Sequence, residues 1–142
     1  MDDSLHYLLM ASYTRLQRQL LGAVRGAGLT IGQPKVLDYL AGHDGASQKE
    51  IAEGCHIEPA SLTSLLSRME EQQMIQRRML NGNRRTLHVF LTPRGQQLLQ
   101  TVQTAFAQLE DRAFAGLSPG QQEDFLRVLR LISENLNAKE SL

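Results

Sequence analysis

The fold of this 142-residue chain is decided by residues 47–95, which read SQKEIAEGCHIEPASLTSLLSRMEEQQMIQRRMLNGNRRTLHVFLTPRG. Ser47 and Glu50 stand three positions apart in the pattern of a capping box, which predicts a short helix beginning after Ser47. Residues 54–56 form the turn that follows. Pro59 then occupies the first position of a second helix, where its missing N–H costs nothing. The spacing predicts two helices joined by a tight turn.

The second helix, from Pro59 to about Gln73, has two different faces. One face is apolar at helical spacing and is expected to be buried, through Leu62, Leu65, Leu66 and Met69. The other face is small and polar with one basic side chain, and it consists of Ser61, Thr63, Ser64, Ser67 and Arg68. By itself such a face favours an ordinary solvated helix. As the second helix of a helix-turn-helix, it favours entry into a DNA major groove, where hydroxyl and guanidinium groups bond bases or phosphates.

A β-hairpin is predicted next, with strands at Ile75–Leu80 and Arg85–Leu91 around the turn signal Asn81-Gly82. Apolar residues alternate along the second strand, which predicts one buried face with Leu87, Val89 and Leu91. The tip carries Arg84 and Arg85. A basic tip beside a groove-reading helix suits a narrow minor groove, whose negative potential attracts arginine. The alternative for this tip is a solubilising loop.

The charge distribution agrees with a nucleic-acid partner although the formal net charge is zero. Residues 61–94 contain six arginines and only two glutamates, whereas acidic residues outnumber basic ones on both sides. A local basic face on a neutral protein is an electrostatic footprint for DNA.

Helices are expected on both sides of this central stretch. Apolar residues recur at helical spacing from Leu5 to about Ala27. A further helix opens near Thr30 as its cap, tolerates Pro34 in its first turn and is broken at residues 42–45. Thr92-Pro93 begins a long helix after the hairpin.

Ser118 caps the last helix, which is apolar nearly all round through Phe125, Leu126, Val128, Leu129, Leu131, Ile132 and Leu136. So many apolar positions on a terminal helix predict packing against the first helix and a second copy of the chain. The fold expected is therefore mainly α with a small β-hairpin wing. A single domain, residues 1–142, contains a winged helix-turn-helix at about 30–95, flanked by dimerisation helices at about 4–27 and 96–138.

Five segments together carry a resemblance to a known family: Leu29-Thr30 with Gln33 and Val36-Leu37; Gln48 with Ile51-Ala52; Ser61 to Glu70; Ile75 to Arg78; and Arg84-Arg85 with Val89, Leu91-Thr92 and Gly95. The chain closely resembles the MarR family of bacterial transcriptional regulators along its whole length. The resemblance implies an obligate homodimer that binds double-stranded DNA at a pseudo-palindromic operator, usually as a repressor. The single Cys55, which cannot form an internal disulfide, fits a reducing cytoplasm. It also implies release by a small amphipathic or phenolic effector, or by oxidation.

By position, the resemblance places Ser61, Thr63, Ser64 and Arg68 on the DNA-reading helix and Arg85 on the wing. Three departures from the family pattern stand out. Asn83 replaces the usual wing aspartate, Gln73 replaces a glycine that closes the recognition helix, and Ser64 stands where a larger residue is frequent. Gln73 is thus expected to carry backbone strain or to change the turn.

An effector pocket is expected between the dimer helices and the winged domain, where His6, Tyr13 and Tyr39 offer polar tips in apolar surroundings. Structural packing is the alternative role for each of the three. The sequence does not name a ligand.

Other chemistry is not indicated. The chain contains no phosphate-binding loop, no His-Glu-X-X-His motif and no cysteine pair, and its four histidines are scattered. We therefore expect no enzyme activity, no cofactor and no metal site. Cys55 sits in the helix-turn-helix turn and is more typical of a small buried residue than of a redox sensor. No apolar run is long enough for a membrane span. The remaining alternative function is a winged-helix module that docks another protein through its wing.

Overall fold

A computed structural model of the chain describes residues 2–80, 82 and 85–137. In this part of the chain, helices and strands follow one another as α1 Leu5–Val24, α2 Gln33–Gly42, α3 Gln48–Cys55, α4 Pro59–Glu71, β1 Ile75–Met79, β2 Leu87–Leu91, α5 Pro93–Ala113 and α6 Pro119–Leu136. A short 3-10 turn, Arg25–Ala27, continues α1. The expected fold class, mainly α with a hairpin wing, is confirmed.

The residues form two compact units, Met1–Leu109 and Glu110–Leu142. The first unit contains α1 to α4, the hairpin and most of α5. The second unit contains the end of α5 and all of α6, and within it the rings of Phe114 and Phe125 meet edge to face with centroids 6.2 Å apart.

The predicted N-caps at Ser47 and Ser118 are confirmed, and the predicted N-cap at Thr30 is wrong. Ser47 Oγ accepts the Glu50 N–H at 3.1 Å while Glu50 Oε1 accepts the Ser47 N–H at 3.0 Å, which completes the capping box. Ser118 forms the same box at the start of α6. At α2, however, the N-cap is Gly32 and not Thr30. The Thr30 N–H donates instead to Oε1 of Gln33 at 3.0 Å, because a glutamine at the first helical position reaches back to it.

The core of the first unit is aliphatic, as the scarcity of aromatic residues predicts. Its fully buried side chains come from every element between α2 and β2, and Val36, Leu37, Ile51, Leu66, Met69 and Val89 are all at 0% exposure. The four residues expected on the inward face of α4 are all buried. Helical periodicity thus identified this side of α4 correctly.

The hairpin pairs antiparallel with Ile75 opposite Leu91 and Arg77 opposite Val89. Both strands are shorter than predicted at the tip. Of the expected inward face, Val89 is buried, whereas the two leucines beside it are half-buried. The far edge of β2 is covered by residues 44–47: Gly45 N–H donates to Val89 O at 2.8 Å, and Val89 N–H donates to Ala46 O at 2.9 Å. These bonds fix the base of the wing against the start of α3.

Candidate nucleic-acid interface

The turn between α3 and α4 is compact and sets the angle of the second helix. His56 adopts a left-handed conformation with φ 54°, and the Ile57 N–H donates to Ala52 O at 3.0 Å. Gly54 is required here because a Cβ would lie 2.2 Å from Cε1 of Tyr39. The ring of Tyr39 therefore packs directly on the α3 backbone and helps to fix α3, and with it the turn into α4.

The outer face of α4 matches the sequence prediction. Ser61, Thr63, Ser64 and Arg68 are exposed, and Ser67 is half-buried. The small side chains leave the helix backbone accessible along its outer side, which is the shape that fits a groove.

The hydroxyl groups on this face are not equivalent. Thr63 Oγ1 donates to Pro59 O and Ser67 Oγ donates to Thr63 O, both at 3.0 Å. Because their protons are used within the helix, these two oxygens are left to act as acceptors. Among the residues that the structure describes, the hydroxyls of Ser61 and Ser64 make no hydrogen bond, so both can donate or accept.

An ion pair braces the carboxyl end of α4. Arg77 on β1 donates to Glu70 through its backbone N–H at 2.9 Å, Nε at 3.1 Å and Nη2 at 3.0 Å. The backbone N–H of Arg77, followed by its guanidinium, holds the pKa of the Glu70 carboxyl below its usual value. Nη2 of Arg77 also donates to Ser67 Oγ at 3.2 Å. The sequence does not predict this contact, because a separation of seven across a helix–strand turn has no periodic signature.

The helix ends in the strained turn that the departure from glycine predicted. Gln73 has φ +64°, a conformation that favours glycine. Its carbonyl accepts a hydrogen bond from Thr92 Oγ1, and the Met74 N–H donates back to Met69 O at 2.9 Å. Tertiary contacts therefore hold a residue that local preference disfavours.

The wing carries further arginines. Arg85 is exposed just before β2. The guanidinium of Arg78 lies over the Phe90 ring, 3.9 Å from its centroid. Arg84 and Asn83, which the sequence analysis assigned to the tip, lie outside the described residues.

A cavity of about 480 Å³ lies in the first unit beside α1, α2 and the start of the helix-turn-helix turn. Its walls are mainly apolar, with Leu16, Leu20, Ile31 and Phe106 among them. Of the three residues expected at an effector pocket, Tyr13 lines this cavity. His6 is exposed on α1 away from the lining, and Tyr39 packs over Gly54 and stacks on His43 with ring centroids 4.2 Å apart.

The polar lining of the cavity is basic. Arg18, Lys35 and His56 border it, and no Asp or Glu of the described chain does. Cys55 also borders the cavity, and its Sγ lies 3.6 Å from Lys35 O. Burial raises the pKa of the Cys55 thiol, so at neutral pH it is protonated and a poor nucleophile. Cys55 is buried, as the sequence predicted.

The described residues lack two further features. No group of three or more His, Cys, Asp or Glu side chains is placed to hold a metal ion. No helix combines the length and apolarity that crossing a bilayer requires.

Comparison with known proteins agrees with this geometry. A family model described as "MarR family" matches residues 29–87, the stretch from α2 to the start of β2. The chain is 26% identical to the HTH-type transcriptional repressor Rv2887 of Mycobacterium tuberculosis over 134 residues, which cover 94% of this chain and 96% of that protein.

Solved structures extend the similarity beyond the matched stretch. The transcriptional regulator PA3341 superposes with a TM-score of 0.86 at 26% identity, covering 96% of this chain and 100% of that one. The transcriptional repressor CouR, solved bound to a 23-mer DNA duplex, gives a TM-score of 0.83 at 26% identity, covering 93% and 94%. The family model matches the winged helix-turn-helix and the relatives align over nearly the whole length, so the chain is similar to transcriptional regulators of the MarR family.

Proposed function

We propose that this chain is a repressor that binds a pseudo-palindromic operator as a homodimer in the cytoplasm and that a small molecule releases it. The observation that carries the proposal is the outer face of α4, which is exposed and built of small hydroxyl side chains and Arg68, and which the arginines of the wing follow along the chain. We call α4 the recognition helix from here on.

The chemistry of this face suits base edges in a major groove. The Thr63 and Ser67 oxygens, whose protons are already used, accept from the amino groups of adenine or cytosine. Ser61 and Ser64 adapt to either donor or acceptor. Arg68 is long enough to reach a guanine edge or a phosphate. The relative CouR was solved on a DNA duplex, which agrees with this use of the face.

The wing is assigned to the neighbouring minor groove. Arg85 is exposed on the tip side of β2, and Arg84 belongs to the same basic segment by sequence. A narrow A·T-rich minor groove concentrates negative potential that attracts arginine. The alternative is a wing that docks a protein, which would give no dependence on DNA sequence.

Dimerisation is proposed from apolar side chains that the single chain leaves exposed. They occur on α1, at Leu5, Leu8, Leu9, Met10, Tyr13 and Leu16, and on α6, at Phe125, Leu126, Val128, Leu131 and Leu136. Exposed patches of this size on helices mark a protein interface, and a two-fold dimer is the commonest assembly and matches a palindromic site.

The effector is proposed to occupy the cavity beside Tyr13. Its apolar walls with Arg18, Lys35 and His56 at the border favour an amphipathic molecule that carries a negative charge. A phenolate or an aromatic carboxylate has this chemistry. Operator binding is measured while benzoate, or its neutral analogue benzyl alcohol, is added. The difference between the two compounds distinguishes the effect of the negative charge from that of the aromatic ring.

Two measurements test DNA binding. Fragments bound from the native genome identify the operator, and the salt dependence of binding to random duplex DNA tests phosphate contacts. A DNA-binding dimer gives a steep negative slope of log affinity against log salt, whereas a protein-docking module gives none. The absence of a slope would leave docking as the function.

Arg68→Ala should weaken operator binding by about 1–3 kcal/mol and relax preference at one base pair if Arg68 reads a guanine. A loss that is equal on all sequences, with a smaller salt slope, would assign Arg68 to a phosphate instead. Affinity is measured by fluorescence anisotropy at fixed salt, with Gln97→Ala on the exposed side of α5 as the control. Unchanged affinity on every sequence would place the recognition helix away from DNA.

Arg85→Ala should reduce affinity most for operators with A·T-rich flanks and lower the salt slope by about one unit per dimer arm. The comparison uses duplexes that differ only in their flanks, so the contacts of the recognition helix stay constant. Equal affinity of the variant and the native chain on all flanks would show that Arg85 does not contact DNA.

A further inference from the structure

A hydrogen bond between two side-chain amides joins the wall of the cavity to the end of the recognition helix. Gln33 Nε2 donates to Gln72 Oε1 at 3.0 Å, across 39 positions of sequence. We propose that Gln33 is a positioning residue, through which an occupant of the cavity changes the affinity of the recognition helix for the operator. The proposal rests on the proposed function, because it needs both DNA reading by α4 and a responsive cavity.

The Gln33 side chain is fixed to the segment that precedes it. It is 1% exposed, its Oε1 accepts the Thr30 N–H at 3.0 Å, and its own backbone N–H donates to Thr30 O at 3.2 Å. Rotating the amide away would leave buried polar groups unpaired, which is costly. The Gln33 side chain therefore moves when residues 30–32 move.

The same segment forms one wall of the cavity. Thr30, Ile31 and Gly32 line it, and Pro34 and Lys35 continue the wall into α2. A molecule that enters the cavity must contact or displace this wall. Gln33 does not line the cavity, since its side chain points from the wall toward the recognition helix.

The wall contacts the recognition helix at two positions along its length. Near the middle, Gly32 has φ +88°, and a Cβ there would lie 3.1 Å from Cδ2 of Leu65 on the buried side of α4. At the end, Gln33 bonds Gln72. The first contact is apolar and yields gradually, whereas the second is a hydrogen bond that is either made or broken. The bond therefore supplies the two distinct arrangements that coupling between sites needs.

The end of α4 transmits such a change to the DNA-facing side. Gln72 is the C-cap, its N–H donates to Arg68 O at 3.0 Å, and its carbonyl accepts from Arg94 Nε at 3.2 Å. Gln73 follows in its left-handed conformation. Releasing the Gln72 side chain loosens a turn that is already disfavoured locally, one turn from Arg68.

Cys55 provides a covalent probe of the cavity, because it is the only cysteine of the chain and borders the cavity. Its Sγ lies 3.6 Å from Lys35 O, so a maleimide on sulfur presses on the first turns of α2. Labelling with N-ethylmaleimide is done at mildly alkaline pH, because burial raises the pKa of this thiol. Cys55→Ala, treated in the same way, reports reaction at any other site.

The experiment compares operator affinity before and after labelling in three proteins: the native chain, Gln72→Ala and Gln97→Ala. Gln72 is exposed, so its truncation removes the bond without opening the core. We expect labelling to weaken operator binding by about tenfold or more in the native chain and in Gln97→Ala. In Gln72→Ala the same label should change affinity by less than about twofold. A purely structural role of Gln72 would lower affinity with or without the label and leave the ratio unchanged.

Two results overturn the proposal. One is an equal loss in Gln72→Ala and the native chain, and the other is no effect of the label on the native chain. Failure of the unlabelled native chain to bind any duplex with a salt slope would instead overturn the proposed function itself. If circular dichroism shows that the adduct unfolds the chain, Ile31→Trp at a 75% exposed position of the wall takes its place in the same comparison.

Discussion

The recognition helix α4 and the terminal helix α6 have similar patterns of apolar residues but different surroundings. In α4, Leu62, Leu65, Leu66 and Met69 are all buried within the chain. In α6, no described residue is buried, and Leu131 remains 57% exposed. An amphipathic pattern predicts that a helix has an inward face, but it does not say which molecule provides the other side.

This difference separates two kinds of stabilising contact. Leu66 of α4 is stabilised whenever the first unit folds, at any protein concentration. The apolar side chains of α6 are exposed in the single chain, and a second copy covers them in the proposed dimer. Substitutions on the two helices should therefore give different phenotypes.

The largest effect is expected on α6. The double substitution Phe125→Glu and Leu131→Glu places two charges among its exposed apolar residues, so the proposed dimer should dissociate into monomers at micromolar concentration. Operator affinity should fall by about 100-fold or more, because each monomer then binds one half-site alone. Sedimentation velocity measures the first effect and fluorescence anisotropy the second. Gln97→Glu combined with Gln100→Glu on the exposed side of α5 is the charge-matched control. A double variant of α6 that stays dimeric would remove α6 from the interface.

The next effect is expected on the buried side of α4. Leu66→Ala should lower the free energy of unfolding by about 2–5 kcal/mol, because it leaves a cavity at a fully buried position. Ser64→Ala on the exposed side should change it by no more than about 0.5 kcal/mol. Urea unfolding at one fixed protein concentration gives both values. Similar costs for the two substitutions would mean that α4 is not packed as described.

The features that the sequence could predict are local ones. The faces of α4 and the capping boxes at Ser47 and Ser118 depend on residues within one or two helical turns, and a single repeat or a fixed spacing specifies them. Strain at Gln73 was one of the two outcomes expected there, because glycine is usual at that position in the family, and the left-handed conformation of Gln73 is that outcome. These features are local, so the sequence carries them directly.

The contacts that the sequence did not predict are those between distant or irregular positions. The Gln33–Gln72 bond joins residues 39 positions apart, and the Arg77–Glu70 pair crosses from a strand to a helix. Tyr39 was expected at a pocket, but its ring packs on Gly54 because two helices approach closely there. Such contacts follow from tertiary packing, and the periodic pattern of apolar residues in the sequence does not predict them.

The smallest expected effect is the loss of stability when one ion pair is removed from each helix. Arg77–Glu70 at the end of α4 has side-chain exposures of 17% and 37%, and its carboxylate accepts three hydrogen bonds. Arg127–Asp124 on α6 is a single contact with both side chains 73% exposed. Solvent screens the second pair almost completely and the first only in part. Glu70→Gln should therefore cost up to about 1 kcal/mol at neutral pH, and Asp124→Asn less than about 0.5 kcal/mol.

The pH dependence of the Glu70 pair has a definite sign. The Arg77 contacts lower the pKa of Glu70 in the folded chain, so the unfolded chain binds the proton more readily. The stabilisation is complete above the unfolded pKa and is lost as the pH falls through the lower, folded pKa. Urea unfolding of the native chain and Glu70→Gln between neutral pH and about pH 3 should thus show two curves that converge only in acid. If Glu70→Gln costs no more than Asp124→Asn at neutral pH, the bond network at the end of α4 contributes nothing beyond an exposed surface pair.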